Sequence, residues 1–85
     1  MDLVFKCLSS KIRRDILNLL RSGEMTASDI ASNFDVSKPT ISHHLSLLKD
    51  ADLIDVRRDG NSLYYSIKTS VVEDLYSYFL DLKEK

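Results

Sequence analysis

The chain has 85 residues, a formal net charge of −1 and a sequence pI of about 6.0, which excludes a second domain of ordinary size and a uniformly basic surface for polyanions. Its single cysteine, Cys7, has no partner for an internal disulfide, and its longest apolar runs fall far short of the roughly 20 residues of a membrane span. We therefore expect one domain over residues 1–85, cytoplasmic, with no signal peptide and no membrane span.

The first part of the chain carries three segments with a helical spacing of apolar residues. The segment "LVFKCL" predicts one or two helical turns, and "SKIRRDILNLLRSG" predicts a longer helix that ends at Gly23. The next segment, "TASDIASNF", begins with Thr26 three residues before Asp29, an arrangement similar to a capping box. It predicts a short helix that is the first of a pair.

A three-residue turn, "DVS", leads into the second helix of that pair. Ser37 is predicted as its N-cap, and Pro39 falls in its first turn, where a missing N–H costs little. Ile41, Leu45 and Leu48 share one face of this helix. Helix, short turn and helix form the helix-turn-helix motif, whose second helix enters the major groove of DNA.

The period of the apolar residues changes after this helix. The segment "LIDVRRDGNSLYYSI" alternates on both sides of a turn that contains Gly60, which predicts a β-hairpin. The tail "TSVVEDLYSYFLDLKEK" returns to helical spacing, and Ser70 with Glu73 predicts a capping box at its start. The predicted fold class is mainly α with a β-hairpin wing: a winged helix-turn-helix flanked by N- and C-terminal helices.

The beginning of the second helix is rich in polar side chains. At about 100° per residue, His43 points away from the apolar face, whereas His44 lies on a flank nearer the core and can still offer a ring N–H to a phosphate. Donors clustered at this end of a recognition helix suit contacts with base edges. The candidate DNA-binding residues of the helix are Ser37, Lys38, Thr40, Ser42, His43 and His44.

The sequence supports metal binding and catalysis by these residues less well than DNA binding. Adjacent histidines project about 100° apart, whereas metal ligands on a helix need i,i+3 or i,i+4 spacing. A surface histidine at position 43 and a half-buried one at position 44 stay open as the simpler interpretation. The chain has no glycine-rich loop and no Cys/His constellation, so we predict no enzyme activity, no catalytic residues, no metal site and no cofactor.

Three segments, "VFKCLSSKIRRDILNLL", "MTASDIASNFDVSKPTISHHLSLLKDADLI" and "RRDGNSLYYSI", together resemble the ArsR family of small winged-helix repressors. The run S-x-P-T-I-S-x-H-L is the most specific part, and "SKPTISHHL" with "YYS" is most similar to stand-alone autorepressors of the SdpR type. The resemblance implies a symmetric homodimer that binds a palindromic promoter operator in double-stranded DNA. It also implies that Arg57 and Arg58 on the wing lie at the DNA.

The same resemblance allows Arg13, Cys7 and the positions of the family's metal sites to be compared with other members. Arg13 falls where many members carry an arginine, but the Asp-Pro before it is missing here, so a functional role and a solvated helix charge both stay open. Members that sense thiophilic metals carry cysteines where this chain has Thr26 and Ser28, and the tail has no histidine for zinc. The known metal sites are therefore expected to be absent. Cys7 is expected to be a small buried hydrophobe, with a redox switch as the alternative.

The two ends of the chain carry more apolar surface than a small winged helix needs for its own core. Pairing of the terminal helices across a two-fold axis would bury it, although a tail that folds back on its own domain stays open. Two other functions also stay open: a repressor that responds to a metal, another ligand or a protein, and a winged helix that serves only protein interaction. The predicted dimerisation residues are Leu3, Val4, Phe5, Leu8, Leu75, Tyr76, Phe79 and Leu82.

Overall fold

The computed structural model describes residues 1–84, which form five helices and three short strands. No helix in this range is long and apolar enough to cross a membrane. The predicted winged helix-turn-helix is confirmed. In chain order the elements are α1 (Asp2–Leu8), α2 (Lys11–Leu20), β1 (Met25–Thr26), α3 (Ala27–Ala31), α4 (Lys38–Asp50), β2 (Ile54–Asp59), β3 (Ser62–Ile67) and α5 (Thr69–Lys83).

Two predicted N-caps fix the starts of the helix-turn-helix pair. The hydroxyl of Thr26 accepts a hydrogen bond from the backbone N–H of Asp29 at 3.1 Å, and that of Ser37 accepts one from the N–H of Thr40 at 3.3 Å. Each bond pairs a backbone donor that the first turn of a helix otherwise leaves free. Both caps are therefore confirmed.

The predicted capping box at the start of α5 is wrong. The helix begins at Thr69, and its N-cap residue, Lys68, makes no side-chain capping bond. The backbone N–H of Lys68 donates instead to the carbonyl of Leu53 at 3.1 Å. Because this bond holds the chain directly before the helix, Ser70 already lies in the first turn.

The wing belongs to a three-stranded antiparallel sheet with the strand order β1-β3-β2. Strands β2 and β3 form the predicted hairpin. Gly60, in its two-residue turn, adopts a φ of +63°, and a residue with a side chain would adopt this backbone conformation less readily. Strand β1 was not predicted; it pairs Met25 with Tyr65 and Thr26 with Tyr64. Two residues are too short to show alternation, yet this pairing attaches the start of the helix-turn-helix to the wing.

The core lies beneath α4. Ile41, Leu45 and Leu48 are at most 1% exposed, as their shared face predicts, and they pack in one cluster with Ile16 of α2 and Ile30 of α3. Burial of this face on apolar neighbours is the main source of the stability of such a domain. It also fixes the rotation of α4 about its own axis, so the opposite face is presented to solvent.

The predicted dimerisation set needs one correction. Val4 and Leu75 are only 6% and 8% exposed and belong to the core of the single chain. They attach α1 and α5 to the domain, so they offer no surface to a second chain. Leu8 is half-buried against the same core. The other members of the set are exposed: Leu3, Phe5, Tyr76, Phe79 and Leu82.

Candidate nucleic-acid interface

The polar residues predicted to contact DNA lie together at the N-terminal half of α4. Lys38, Thr40, Ser42 and His43 are all exposed, and the hydroxyl of the capping Ser37 lies 2.9 Å from that of Thr40. These side chains surround the free end of a 13-residue helix, whose first-turn N–H groups and dipole favour anions. This end of α4 can therefore approach a polyanion without repacking the core.

A solvent-open cleft of about 380 Å³ separates this end of α4 from the wing. Lys38 and Ser42 line its helix side, and the rest of its lining includes hydroxyl and amide side chains that the sequence did not single out for DNA, beside the apolar Ala27 and Leu63. Small donors beside one lysine suit a phosphate group better than an apolar ligand. The added lining residues with such donors are Thr26, Ser28, Asn61 and Ser62.

Arg57 and Arg58, grouped together by the sequence, lie on opposite faces of the hairpin. The strand register pairs Arg57 with Tyr64 and Arg58 with Leu63, and successive side chains of a strand alternate between faces. Leu63 lines the grooves between the hairpin and α4, so Arg58 lies on the face turned towards α4. Within residues 1–84 Arg58 makes no side-chain hydrogen bond or ion pair, so its guanidinium is available to an external anion.

Arg57 is bound by groups of the protein itself. Its Nε donates to Oε2 of Glu24 at 2.9 Å and its Nη2 donates to Oε1, which completes a bidentate pair. The guanidinium also lies 3.7 Å from the carboxylate of Asp59 and 4.8 Å from the ring centroid of Tyr64. The hydrogen bond from Arg57 lowers the pKa of the Glu24 carboxyl, and the same bond raises the pKa of the guanidinium.

Arg13 lies between α1 and α4, and its side chain donates in three directions. Its Nε donates to the carbonyl of Cys7 at 2.9 Å, its Nη2 donates to the carbonyl of Lys6 at 3.2 Å, and its Nη1 lies 3.2 Å from Nδ1 of His44. A cation at the C-terminal carbonyls of a helix is favoured by the helix dipole. The interpretation of Arg13 as a solvated charge is therefore wrong.

His44 is half-buried and His43 is exposed, as their positions on α4 predict. Burial lowers the pKa of His44, and the neighbouring charges of Arg13 and His43 lower it further. The lowered pKa favours the neutral form of the His44 ring. The two imidazole centroids are 5.8 Å apart, and the rings are tilted by 57°.

Cys7 is a buried thiol, as expected for a small hydrophobe. It is 2% exposed, and its Sγ donates to the carbonyl of Leu47 at 3.3 Å. Burial raises the pKa of Cys7 more than the nearby Arg13 lowers it, so the reactive thiolate is disfavoured. Across residues 1–84 no cluster of three or more His, Cys, Asp or Glu side chains suits a metal ion.

A helix-turn-helix whose second helix exposes a polar face beside a β-hairpin defines the class of winged helix-turn-helix proteins. The model of the arsR family of bacterial regulatory proteins matches residues 10–56. This chain belongs to the ArsR family of bacterial regulatory proteins, as its sequence motifs indicate.

Individual relatives agree with this assignment. The chain is 48% identical over 85 residues to the transcriptional repressor SdpR of Bacillus subtilis (strain 168), covering 100% of this chain and 94% of that protein. It is 37% identical over 75 residues to an arsenical resistance operon repressor of Staphylococcus aureus, covering 88% and 72% respectively. The solution structure of a homodimeric winged helix-turn-helix DNA-binding domain from Mycobacterium bovis, a possible ArsR-family transcriptional regulator, matches with a TM-score of 0.79 at 31% identity, covering 98% of this chain and 77% of that one.

Proposed function

We propose that this chain is a homodimeric transcriptional repressor that binds an inverted-repeat operator in double-stranded DNA and controls its own promoter. The observation that carries the proposal is the exposed polar end of α4, which the buried Ile41, Leu45 and Leu48 hold in a fixed orientation. Arg58, which makes no side-chain hydrogen bond or ion pair within residues 1–84, lies on the face of the wing turned towards α4. The similarity to a transcriptional repressor over the full length of the chain supports the same function.

The proposed DNA contacts come from exposed residues of α4 and from Arg58 on the wing. In this proposal the exposed residues of α4 read bases or contact adjacent phosphates; they are Lys38, Thr40, Ser42 and His43. Arg58 would contact the DNA backbone or minor groove beside each half-site. Because the net charge of the chain is −1, affinity depends on these few cations and falls as the salt concentration rises.

The exposed apolar side chains of the terminal helices supply the dimer surface. Tyr76, Phe79 and Leu82 recur every three residues along α5 and are 68%, 53% and 57% exposed, and Leu3 and Phe5 are exposed on α1. Such side chains are normally covered by a partner when they recur along one element.

A two-fold axis would place two recognition helices in major grooves about 10 to 10.5 base pairs apart, which requires an inverted repeat. Repression would follow because the bound dimer blocks polymerase at an overlapping promoter.

Fluorescence anisotropy with a labelled duplex from upstream of the protein's own gene tests this proposal, with a shuffled duplex for comparison. We expect saturable, selective binding, which His43→Ala and Arg58→Ala each weaken by about tenfold or more. Arg58→Ala should also reduce the slope of log affinity against log salt by about 1, because one cation no longer meets a phosphate. Lys11→Ala is the matched control, because Lys11 pairs with Asp15 on α2 at 2.7 Å.

Equal affinity for the specific and shuffled duplexes at low and moderate salt would contradict the proposal and favour the protein-interaction module. Footprinting of the bound duplex then locates the two half-sites. A single protected half-site would contradict the inverted repeat while leaving DNA binding in place.

A metal-responsive repressor is the second candidate, because one relative is an arsenical resistance operon repressor. The donors that this chain offers do not favour it: Thr26 and Ser28 carry hydroxyls, and the thiol of Cys7 is buried and bonded to Leu47. We expect arsenite, cadmium or zinc to leave the affinity for the operator unchanged. A tenfold loss of affinity on addition of one of them would favour the sensor.

A further inference from the structure

We infer that Arg13 is a positioning residue of the DNA-binding surface: it holds His44 as the Nε2–H tautomer and leaves that N–H at the protein surface as a neutral donor to a DNA phosphate. The phosphate contact rests on the proposed function, whereas the tautomer is a property of the protein without DNA.

The tautomer follows from the donor inventory of the pair. A guanidinium carries only donors, so at 3.2 Å from Nη1 of Arg13 the Nδ1 of His44 must accept the hydrogen bond. The proton of the neutral ring then lies on Nε2. A ring with Nδ1–H, or a doubly protonated ring, would place a hydrogen against the guanidinium and lose the bond.

The Nε2 atom reaches solvent. Among residues 1–84, no side-chain nitrogen or oxygen of a buried or half-buried residue is both enclosed by protein and without a hydrogen-bond partner. Nδ1 of the half-buried His44 is bonded to Arg13, whereas Nε2 has no hydrogen-bond partner in this range. Nε2 is therefore at least partly exposed to solvent. His44 also follows the exposed Thr40 by one helical turn, so it lies beside the predicted contact residues.

The position of Arg13 is itself fixed by two backbone acceptors. The carbonyls of Lys6 and Cys7, at the C-terminal end of α1, each accept a hydrogen bond from its guanidinium. With these carbonyls and His44 as three separate acceptors, the planar guanidinium has little freedom to rotate. The imidazole is therefore held in one orientation before DNA arrives, which removes an entropic cost from binding.

Nuclear magnetic resonance of the protein without DNA tests the tautomer at neutral pH. A long-range proton–nitrogen correlation spectrum of the histidine rings should show His44 as the Nε2–H form alone, with the exposed His43 as the internal reference. Arg13→Met removes the donors and should give a mixture of tautomers, and Arg13→Lys should restore part of the preference. A wild-type ring with Nδ1–H, or an unchanged spectrum in Arg13→Met, would overturn the inference.

Two substitutions of His44 separate its contact with Arg13 from its contact with DNA. The amide of Gln reaches the position of Nε2, whereas that of Asn reaches only the position of Nδ1. We expect His44→Gln to retain operator affinity within about threefold, and His44→Asn to lose about tenfold, the effect of one hydrogen bond to a charged group. The stability to urea should follow the opposite order, because only Asn keeps an acceptor for Arg13. These variants also keep the inference testable if Arg13→Met does not fold.

A purely structural role for His44 would change stability and affinity in parallel, and that result would overturn the inference. Failure of the wild type to distinguish operator from shuffled duplex would instead contradict the proposed function. The spectrum of the protein without DNA would still decide whether Arg13 selects the tautomer.

Discussion

Glu24 and Arg57 are 33 residues apart in the chain, and their side chains form a bidentate ion pair between the segment before β1 and the wing. Arg57 lies on the face of the hairpin turned away from α4, because its cross-strand neighbour is Tyr64. A guanidinium fork that already holds a carboxylate in this way orients the wing relative to the helix-turn-helix. The pair therefore engages Arg57 within the protein, which supports the proposal that Arg58 is the wing cation that contacts DNA.

The ion pair predicts an acid-sensitive part of the stability. The folded state lowers the pKa of Glu24 through its hydrogen bond with Arg57, so the stabilisation is present above the ordinary pKa of the carboxyl and is lost as pH falls through the lowered value. Glu24→Gln should therefore be less stable than the wild type at pH 7, and the difference should shrink in acid. Urea denaturation at several values between pH 7 and about pH 3 measures this.

Glu73→Gln is the control, because within residues 1–84 the Glu73 side chain makes no ion pair. It should show no comparable pH-dependent difference from the wild type. A difference in the free energy of unfolding between Glu24→Gln and the wild type that stays constant with pH would contradict this account of the ion pair.

The cap of the recognition helix allows stability and DNA affinity to be separated. Ser37→Ala removes the acceptor for the N–H of Thr40 and should lower the free energy of unfolding by about 1 kcal/mol. Ser37→Asp keeps an acceptor and a favourable charge at the helix N-terminus, so it should be as stable as the wild type. Its carboxylate should nevertheless repel phosphates and weaken operator binding at low salt. Tight binding by Ser37→Asp would contradict the placement of this helix end at DNA.

The exposed face of α5 predicts the assembly state. Phe79 is 53% exposed, and Phe79→Glu places a charge in the proposed dimer surface without disturbing the buried Leu75. We expect a folded monomer in sedimentation velocity at micromolar concentration, with operator affinity reduced because one half-site is bound at a time. Asn18→Glu adds the same charge to an exposed position of α2 and should leave the dimer intact. A dimeric Phe79→Glu protein would show that another surface forms the interface.

The chain turn after α4 offers a stabilising substitution. Asp52 adopts a φ of 58°, in the left-handed region that favours glycine, while its N–H donates to the carbonyl of Lys49 at 3.0 Å. Asp52→Gly should raise the free energy of unfolding by about 0.5 to 1 kcal/mol, because glycine adopts this φ without strain. The gain is slightly reduced because the substitution also removes the exposed ion pair with Lys68, which contributes little. Asp55→Gly, in the extended strand β2, should instead lower it. Urea denaturation of both variants checks the opposite signs.

Local residue patterns predict the order of the helices, the caps at Thr26 and Ser37, the turn at Gly60 and the buried face of α4. Each of these signals lies within a few consecutive residues, because helix period, capping and turn formation depend on local backbone geometry. The family motif in residues 37–45 is local in the same sense, and it points to the same helix as the exposed polar end in the structure.

Which cations find partners within the protein depends on long-range packing, which local patterns do not reveal. Arg57 and Arg58 are equivalent in the sequence, but the register of β3 turns Arg57 towards Glu24 and Arg58 towards α4. Arg13 meets His44 across 31 residues, and this contact depends on how α1, α2 and α4 pack. Val4 and Leu75 belong to the core for the same reason, since burial and pairing over long separations depend on the assembled fold and leave no local signal in the chain.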